Sequence, residues 1–217
     1  IYNTVQIGAD KHVQHVFDDI VPVDTPSTSN RPQYEEPLVD AIQECVSKND
    51  NVVIIGGGYG VTTVVAARNT EASVTAYEAI GYRTSVIRKT AAINNVADQC
   101  TVVNAIIGPA INPGGGLPSE GTTDPASQVD IKGIPSCEVL ELDCEGAELE
   151  ILDNLAIRPR HIIVETHRHR GAPEDEVRSR LSDLGYNVIS REVENEETGV
   201  YVLTAARGSK IPNEDSD

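Results

Sequence analysis

Residues 51–60 read Asn-Val-Val-Ile-Ile-Gly-Gly-Gly-Tyr-Gly, and a helical stretch follows directly at 61–68. A short apolar run that ends in glycines is typical of a buried strand. Glycines let the chain turn sharply and approach a ligand closely, and the N-terminus of a following helix presents free N–H groups. This segment therefore predicts a strand, a ligand-binding turn and a helix.

Strands and helices are predicted to alternate after this segment. The predicted strands cover residues 51–55, 73–77, 100–107, 138–142 and 161–165, and the predicted helices cover 61–68, 82–94, 147–155 and 173–184. Such alternation is typical of a parallel sheet with helices on both faces. Two final strands, at 187–193 and 200–205, are joined by a short turn and are expected to be antiparallel. The sequence thus predicts a Rossmann-like α/β fold, mostly parallel, with a C-terminal antiparallel hairpin.

The predicted domain covers residues 35–207 and opens with a helix that begins near Pro37. Residues 1–34 are interpreted as an arm or linker with a short strand at 13–17, and residues 208–217 as a polar acidic tail. Residues 108–135 are rich in glycine and proline and lack periodicity, so a long loop is expected there. Both a functional lid and a disordered segment stay open for this loop.

The composition excludes several classes of partner. The 217 residues carry 34 acidic and 17 basic side chains, a net charge of −17, which argues against nucleic acid and against a polybasic membrane anchor. No apolar run approaches the roughly 20 residues that span a bilayer. The four cysteines form no C-x-x-C pair, so a zinc ribbon is not expected. Dispersed acid with little lysine favours a cytoplasmic protein adapted to high salt.

An acidic residue follows the glycine turn at a spacing that fits a ribose-binding carboxylate. Glu78 ends the second predicted strand, 20 residues after Gly58, where a carboxylate can accept both hydroxyls of a nucleoside ribose. The dinucleotide fingerprint G-x-G-x-x-G would need glycine at Val61. S-adenosylmethionine (SAM) fits better than a dinucleotide, because it carries no pyrophosphate.

A second motif begins where the fourth predicted strand ends. Residues 142–152 read Leu-Asp-Cys-Glu-Gly-Ala-Glu-Leu-Glu-Ile-Leu. This segment resembles the FkbM family of methyltransferases, whose pattern is Asp, a hydrophobic residue, Glu-Gly, a variable residue, Glu and aliphatics. The likeness continues through 162–167 and 184–186 and back through Asn94-Asn95 to the glycine turn. It implies a class I methyltransferase fold and SAM-dependent methyl transfer, usually to a hydroxyl oxygen on a sugar, polyketide or related metabolite.

The resemblance also implies which residues form the site. The implied cofactor-binding residues are Gly56, Gly57, Gly58, Tyr59 and Gly60 for the methionine part, Glu78 and Ala79 for the ribose, and Asn104 and Ala105 near the adenine. The implied residues near the reacting centre are Asp143 and Glu145, with Glu165 and His167 on the adjacent strand end, and Asp143 is also implied to bind the cofactor. The chain departs from the family at Ile54, where an acidic residue is common two positions before the first glycine.

Methyl transfer to an alcohol needs a proton acceptor. His167 is the first candidate, because imidazole titrates near neutrality, and Asp143 is the second. Structural alternatives stay open: Asp143 can cap the following helix, and Glu165 can pair with a nearby arginine. A metal pair of His167 and His169 with Glu165 is weakly indicated, and no metal is predicted.

The expected partner is a small-molecule acceptor, and homodimerisation is left open. Two alternative functions also remain. One is a nicotinamide-dependent oxidoreductase, and the other is a degenerate SAM-binding module without catalysis.

Overall fold

A computed structural model describes residues 2–6, 12–16, 35–108 and 127–208 of the chain. The strands are β1 (Tyr2–Gln6), β2 (His12–Val16), β3 (Val52–Ile55), β4 (Val74–Glu78), β5 (Cys100–Ile107), β6 (Ser127–Val129), β7 (Val139–Leu142), β8 (His161–His167), β9 (Tyr186–Asn195) and β10 (Val200–Arg207). The α-helices are α1 (Glu36–Cys45), α2 (Val61–Asn69), α3 (Gly81–Ile93), α4 (Glu148–Asp153) and α5 (Glu174–Asp183). Short 3-10 helices lie at Ala97–Gln99, Ile131–Gly133 and Arg168–Arg170.

Eight strands form the central sheet, in the order β6-β5-β4-β3-β7-β8-β10-β9. β10 is antiparallel to both β8 and β9, and the other neighbours are parallel. The predicted Rossmann-like sheet with its antiparallel hairpin is therefore confirmed. β1 and β2 pair with each other in a separate antiparallel hairpin.

The order of the strands determines where a ligand can bind. From β3 the chain runs outward through β4 and β5 on one side, then returns to β7 and β8 on the other. In open α/β sheets a crevice forms at the carboxyl ends of the strands where the order reverses. This rule places the candidate ligand-binding crevice between the ends of β3 and β7.

Alternate strand residues build two apolar layers. Val52 and Ile54 of β3 join the layer beneath α1 and α2, whereas Val53 and Ile55 join the layer against α4 and α5. This period-two alternation buries both faces of the sheet, as the parallel arrangement requires. In the described part of the chain, no helix has the length and apolar character needed to span a bilayer.

Two boundaries differ from those predicted by the sequence. The loop predicted at 108–135 contains β6, which pairs in parallel with β5, and a 3-10 turn at Ile131–Gly133. The prediction of a continuous loop was therefore wrong at β6. Three residues are too few to give a periodic signal in the sequence. β8 runs on to His167, two residues beyond the predicted end, which keeps Glu165 and His167 on one face of the strand.

Several predictions fall mainly outside the described residues. These are most of the loop, at residues 109–126, and the tail from residue 209 onward. The arm is described only at its two strands, and β2 lies one residue before the strand predicted at 13–17.

A buried aspartate fastens the end of α1 to the start of β8. Asp50, 4% exposed, accepts hydrogen bonds from Arg160 Nη2 at 2.6 Å and Nη1 at 3.1 Å, and from Ser47 N–H at 2.6 Å. Arg160 Nη2 also donates to the carbonyl of Cys45, the final residue of α1, at 3.0 Å. The guanidinium therefore satisfies one of the carbonyls that every helix end leaves unpaired.

We expect Asp50→Asn to lower the free energy of unfolding by about 2 kcal/mol, because the arginine loses a charge-assisted partner. Burial raises the pKa of Asp50, but hydrogen bonds from Arg160 and Ser47 outweigh it and hold the pKa below its usual value. The carboxylate thus stabilises the fold above about pH 4 and less as the pH falls below that.

Urea unfolding at pH 7 and pH 3 measures both effects, and the difference between wild type and variant should shrink in acid. Asp153→Asn is the matched control, because Asp153 forms an exposed ion pair with Arg180. Equal losses in the two variants would contradict the expectation.

Candidate active site

The backbone of the glycine turn at the end of β3 lies in close contact with the backbone of two neighbouring strand ends. The N–H groups of Gly56 and Gly57 donate to the carbonyl of Tyr77 at 2.9 and 3.1 Å. Gly56 has a φ of +98°, and a Cβ there would lie 1.7 Å from the carbonyl oxygen of Asp143. Asp143 N–H in turn donates to the carbonyl of Ile55 at 2.9 Å. Only glycine allows the turns after β3 and β7 to meet in this way.

Glu78 ties the glycine turn to the end of β4. Its carboxylate accepts hydrogen bonds from Gly58 N–H at 3.0 Å and from Ile80 N–H at 2.7 Å. The side chain is only 4% exposed, and this burial raises its pKa, although the two backbone hydrogen bonds partly oppose the shift. Asn104 Nδ2 donates to the carbonyls of Glu78 and Ala79 at 2.9 and 3.2 Å. Four residues that the sequence implies for the cofactor, Gly58, Glu78, Ala79 and Asn104, thus come together.

Two other implied cofactor residues are placed differently. Tyr59 is half-buried beside the turn, with the guanidinium of Arg83 5.6 Å from the centre of its ring. Ala105 is 2% exposed and packs in the apolar layer next to α4 and α5, so its side chain does not reach the crevice. Any contact of Ala105 with a ligand would have to be made by its backbone.

The turn after β7 is held in an uncommon shape by one buried carboxylate. Glu145 has a φ of +57°, a left-handed conformation that is rare outside glycine, and Gly146 follows with a φ of +111°. Glu148 is fully buried and accepts hydrogen bonds from Gly146 N–H at 2.8 Å and Cys144 N–H at 3.2 Å. The sequence gives no local signal for this role of Glu148 in shaping the turn.

Glu148 also orients the imidazole of His167. Its Oε1 lies 2.9 Å from His167 Nδ1, so the ring presents Nε2 to the other carboxylates. Nε2 lies 3.4 Å from Glu165 Oε1 and 3.6 Å from both Asp143 Oδ1 and Glu145 Oε2. The structure therefore groups all four residues that the sequence places near the reacting centre.

The electrostatics of this group follow from its carboxylates. Burial lowers the pKa of His167, but its bonds to Glu148 and Glu165 and the charge of Asp143 outweigh this and raise the pKa to about 11. Burial and the neighbouring Glu165 raise the pKa of Asp143 well above its usual value, although the imidazolium opposes this. The role of His167 as general base stays a prediction, and the raised pKa favours the charged imidazolium over the neutral base.

One buried carboxyl was not anticipated. Glu141 of β7 is fully buried, and within the described residues neither of its oxygens has a hydrogen-bond partner by distance and angle. Its register partner on β3 is Ile54, the position where the family commonly has an acidic residue. An acidic side chain is thus present at this register position of the sheet, on β7 rather than on β3. The signal in the sequence is a single Glu inside the otherwise apolar strand Val139–Leu142.

The histidine pair considered from the sequence is not assembled. His169 lies in the exposed 3-10 turn, its ring centre 6.0 Å from that of His167, and its Nε2 accepts a hydrogen bond from Arg170 Nε at 3.2 Å. The Arg170 guanidinium also contacts Glu145 Oε2 at 2.9 Å. Arg170 therefore pairs with Glu145 in this structure.

Residues 55–188 match the model of the methyltransferase FkbM domain. The chain belongs to the FkbM methyltransferase family. The match spans both the glycine turn and the turn after β7, and it identifies the protein as a methyltransferase that uses a SAM-type methyl donor. This assignment favours methyl transfer over the nicotinamide alternative. No curated protein sequence matches the chain at a significant level.

Solved structures of several other proteins have a similar fold. Precorrin-6y C5,15-methyltransferase from Geobacter metallireducens is 16% identical, with a TM-score of 0.55 over 85% of this chain and 92% of that one. The ribosomal protein L11 methylase from Lactobacillus delbrueckii is 10% identical, with a TM-score of 0.55 over 82% and 81%. N-methyltransferase NodS from Bradyrhizobium japonicum is 10% identical, with a TM-score of 0.54 over 82% and 96%. At these identities the likeness shows the fold alone.

We expect Gly56→Ala to destabilise the protein severely, because the new methyl group would overlap the carbonyl of Asp143. Gly185→Ala is the matched control: its φ is +84°, and nothing lies within 4 Å of a Cβ there. The control should lose only the roughly 1–2 kcal/mol of left-handed backbone strain. Urea unfolding measures the free energy of unfolding of both variants. Comparable losses in the two variants would show that the close approach of the two turns does not exclude a side chain at Gly56.

We expect Glu148→Gln to lower the free energy of unfolding by about 3 kcal/mol, since an amide nitrogen does not accept the hydrogen bonds that the second carboxylate oxygen accepts. Glu150→Gln, on the exposed side of the same helix, should change stability little. Thermal unfolding compares the two. Histidine NMR should in addition show an altered His167 imidazole in the Glu148 variant alone, and an unaltered spectrum would contradict its orienting role.

Proposed function

We propose that this protein transfers the methyl group of SAM to a hydroxyl oxygen of a small acceptor, of the sugar-like or secondary-metabolite class. The observation that carries the proposal is the pair of carboxyl groups, Asp143 and Glu165, that flank the imidazole of His167 at the carboxyl ends of β7 and β8. An alcohol must lose its proton during methyl transfer, and a site for this reaction needs such acceptors.

The described residues suit the cofactor in shape and charge. Gly58 has a positive φ and leaves the turn beside Glu78 free of a side chain. Glu78 keeps lone pairs beyond those used by Gly58 and Ile80, with which it can accept the hydroxyls of a ribose. The carboxyls of Asp143, Glu145 and Glu165 outnumber the basic side chains that they face at this end of the sheet, which favours a ligand with a sulfonium and an ammonium group. When bound, SAM supplies an electrophilic methyl group.

The side chains at the crevice mouth have distinct tasks in this proposal. Asp143 and Glu165 lie on adjacent strand ends and orient the hydroxyl of the acceptor. His167 is fixed by Glu148 and faces both carboxylates, so it positions them around the reacting oxygen. Glu145, whose side chain is 48% exposed, marks the side from which the acceptor enters. A fixed group of this kind lowers the barrier mainly by holding the reactants in line.

Calorimetric titration tests the proposal. The wild-type protein should bind SAM and its demethylated product and should not bind NAD. Glu78→Gln should weaken SAM binding at least tenfold, because the amide loses one acceptor that the ribose needs. The matched control is Glu71→Ala, which removes an exposed carboxylate paired with Lys48 and should leave SAM binding unchanged.

The reaction itself is tested by incubating the protein with methyl-labelled SAM and a panel of hydroxyl-bearing compounds. Label on a hydroxyl oxygen is the expected result. NAD binding without SAM binding would overturn the proposal. SAM binding without transfer to any compound of a broad panel would favour the degenerate SAM-binding module instead.

A further inference from the structure

The geometry points to a divalent-cation site formed by Asp143, Glu165 and His167, in which a first-row transition ion such as Mn²⁺ or Zn²⁺ binds the acceptor oxygen. One ligand atom from each of these residues lies within 4.8 Å of the other two. They stand at the carboxyl ends of adjacent strands, so the backbone of the sheet fixes their spacing. The inference rests on the proposed function only for what the ion would bind.

The imidazole of His167 has the orientation of a metal ligand. Its Nδ1 contacts the fully buried Glu148 at 2.9 Å, and backbone N–H groups of Cys144 and Gly146 hold that carboxylate in place. A histidine that ligates a metal commonly donates its other ring N–H to a carboxylate in this way. The arrangement directs Nε2 toward Asp143 and Glu165.

The distances around Nε2 suit ligands of a shared ion better than hydrogen bonds. Nε2 lies 3.4 Å from Glu165 Oε1 and 3.6 Å from Asp143 Oδ1. A strong N–H···O bond is typically about 2.9 Å long, as is the contact on the Nδ1 side of the ring. Two ligands at about 2.1 Å from one ion lie about 3.4 Å apart at a tetrahedral angle.

A separate observation concerns a buried carboxyl next to this site in the sheet. Glu141 lies two positions before Asp143 on β7 and is fully buried, and neither of its oxygens has a hydrogen bond of good geometry among the described residues, although the Thr62 hydroxyl is its polar neighbour. A buried carboxyl without a partner is costly unless a cation or a proton neutralises it. A divalent ion beside it would reduce that cost.

The mixed ligand set indicates the kind of ion and acceptor. Two carboxylate oxygens with one imidazole nitrogen favour Mn²⁺ or Zn²⁺ over ions that prefer oxygen alone. Three protein ligands leave positions open for an acceptor that offers two neighbouring oxygens, such as a vicinal diol. The ion polarises the bound hydroxyl, whose proton passes to water. The oxygen lone pair then forms the C–O bond while the carbon–sulfur bond breaks, and sulfur keeps the electron pair as neutral S-adenosylhomocysteine.

The test is a calorimetric titration of the chelator-treated 217-residue chain with Mn²⁺ and with Zn²⁺, without SAM. One ion per chain is expected, bound at least tenfold more weakly by Glu165→Gln. Glu150→Gln, which removes an exposed carboxylate of α4, should bind as the wild type does. No binding, binding without a defined stoichiometry, or equal affinity in the wild type and Glu165→Gln would overturn the inference.

Pulsed EPR of the unmodified protein with Mn²⁺ gives a second readout that does not depend on a variant folding. Nitrogen coupling from one imidazole is expected, and its absence would overturn the site. SAM titration of the same preparation separates the two proposals. SAM binding without ion binding would overturn the ion site alone, whereas ion binding without SAM binding would overturn the proposed function alone.

Discussion

The close contact between the turns after β3 and β7 is the constraint on which the site depends. Gly56 faces the carbonyl of Asp143 at a distance that leaves no room for a side chain, and Asp143 N–H bonds to the carbonyl of Ile55. This contact brings the glycine turn and the carboxylate-bearing turn together at one end of the sheet. It depends on the register of two strands and on one glycine, so it is set by backbone geometry before any side chain is placed.

A second level of organisation rests on buried carboxylates. Glu148 accepts two backbone N–H groups and also fixes the imidazole of His167, so the strained turn at Glu145 and the histidine are positioned by one side chain. In low-dielectric surroundings such a network is strong when every polar group has a hydrogen-bond partner. A buried polar group without a partner lowers the stability instead. Glu141 is the member without a hydrogen bond of good geometry among the described residues, and burial raises its pKa, which favours the neutral carboxyl.

The features of the fold and of the site that the sequence predicted are those that depend on residues close together in the chain. The alternation of apolar runs and helical stretches identified the sheet and its final hairpin, and the spacing from Gly58 to Glu78 identified the pair that the structure joins by a hydrogen bond at 3.0 Å. What could not be predicted depends on contacts between distant segments. The pairing of Glu148 with His167 spans 19 residues and requires the register of β7 and β8, and the three residues of β6 gain their conformation only from β5.

The position of β10 between β8 and β9 has a consequence for how the chain reaches this structure. β9 precedes β10 in the chain, yet among the strands of the described sheet it pairs with β10 alone. During synthesis on a ribosome, β9 is therefore made before β10, the strand with which it pairs. Until β10 is available, β8 keeps an open edge and β9 lacks its hydrogen-bonding partner. Closure of this end is a late, non-local event, whereas β3, β4 and β5 can associate as they are made.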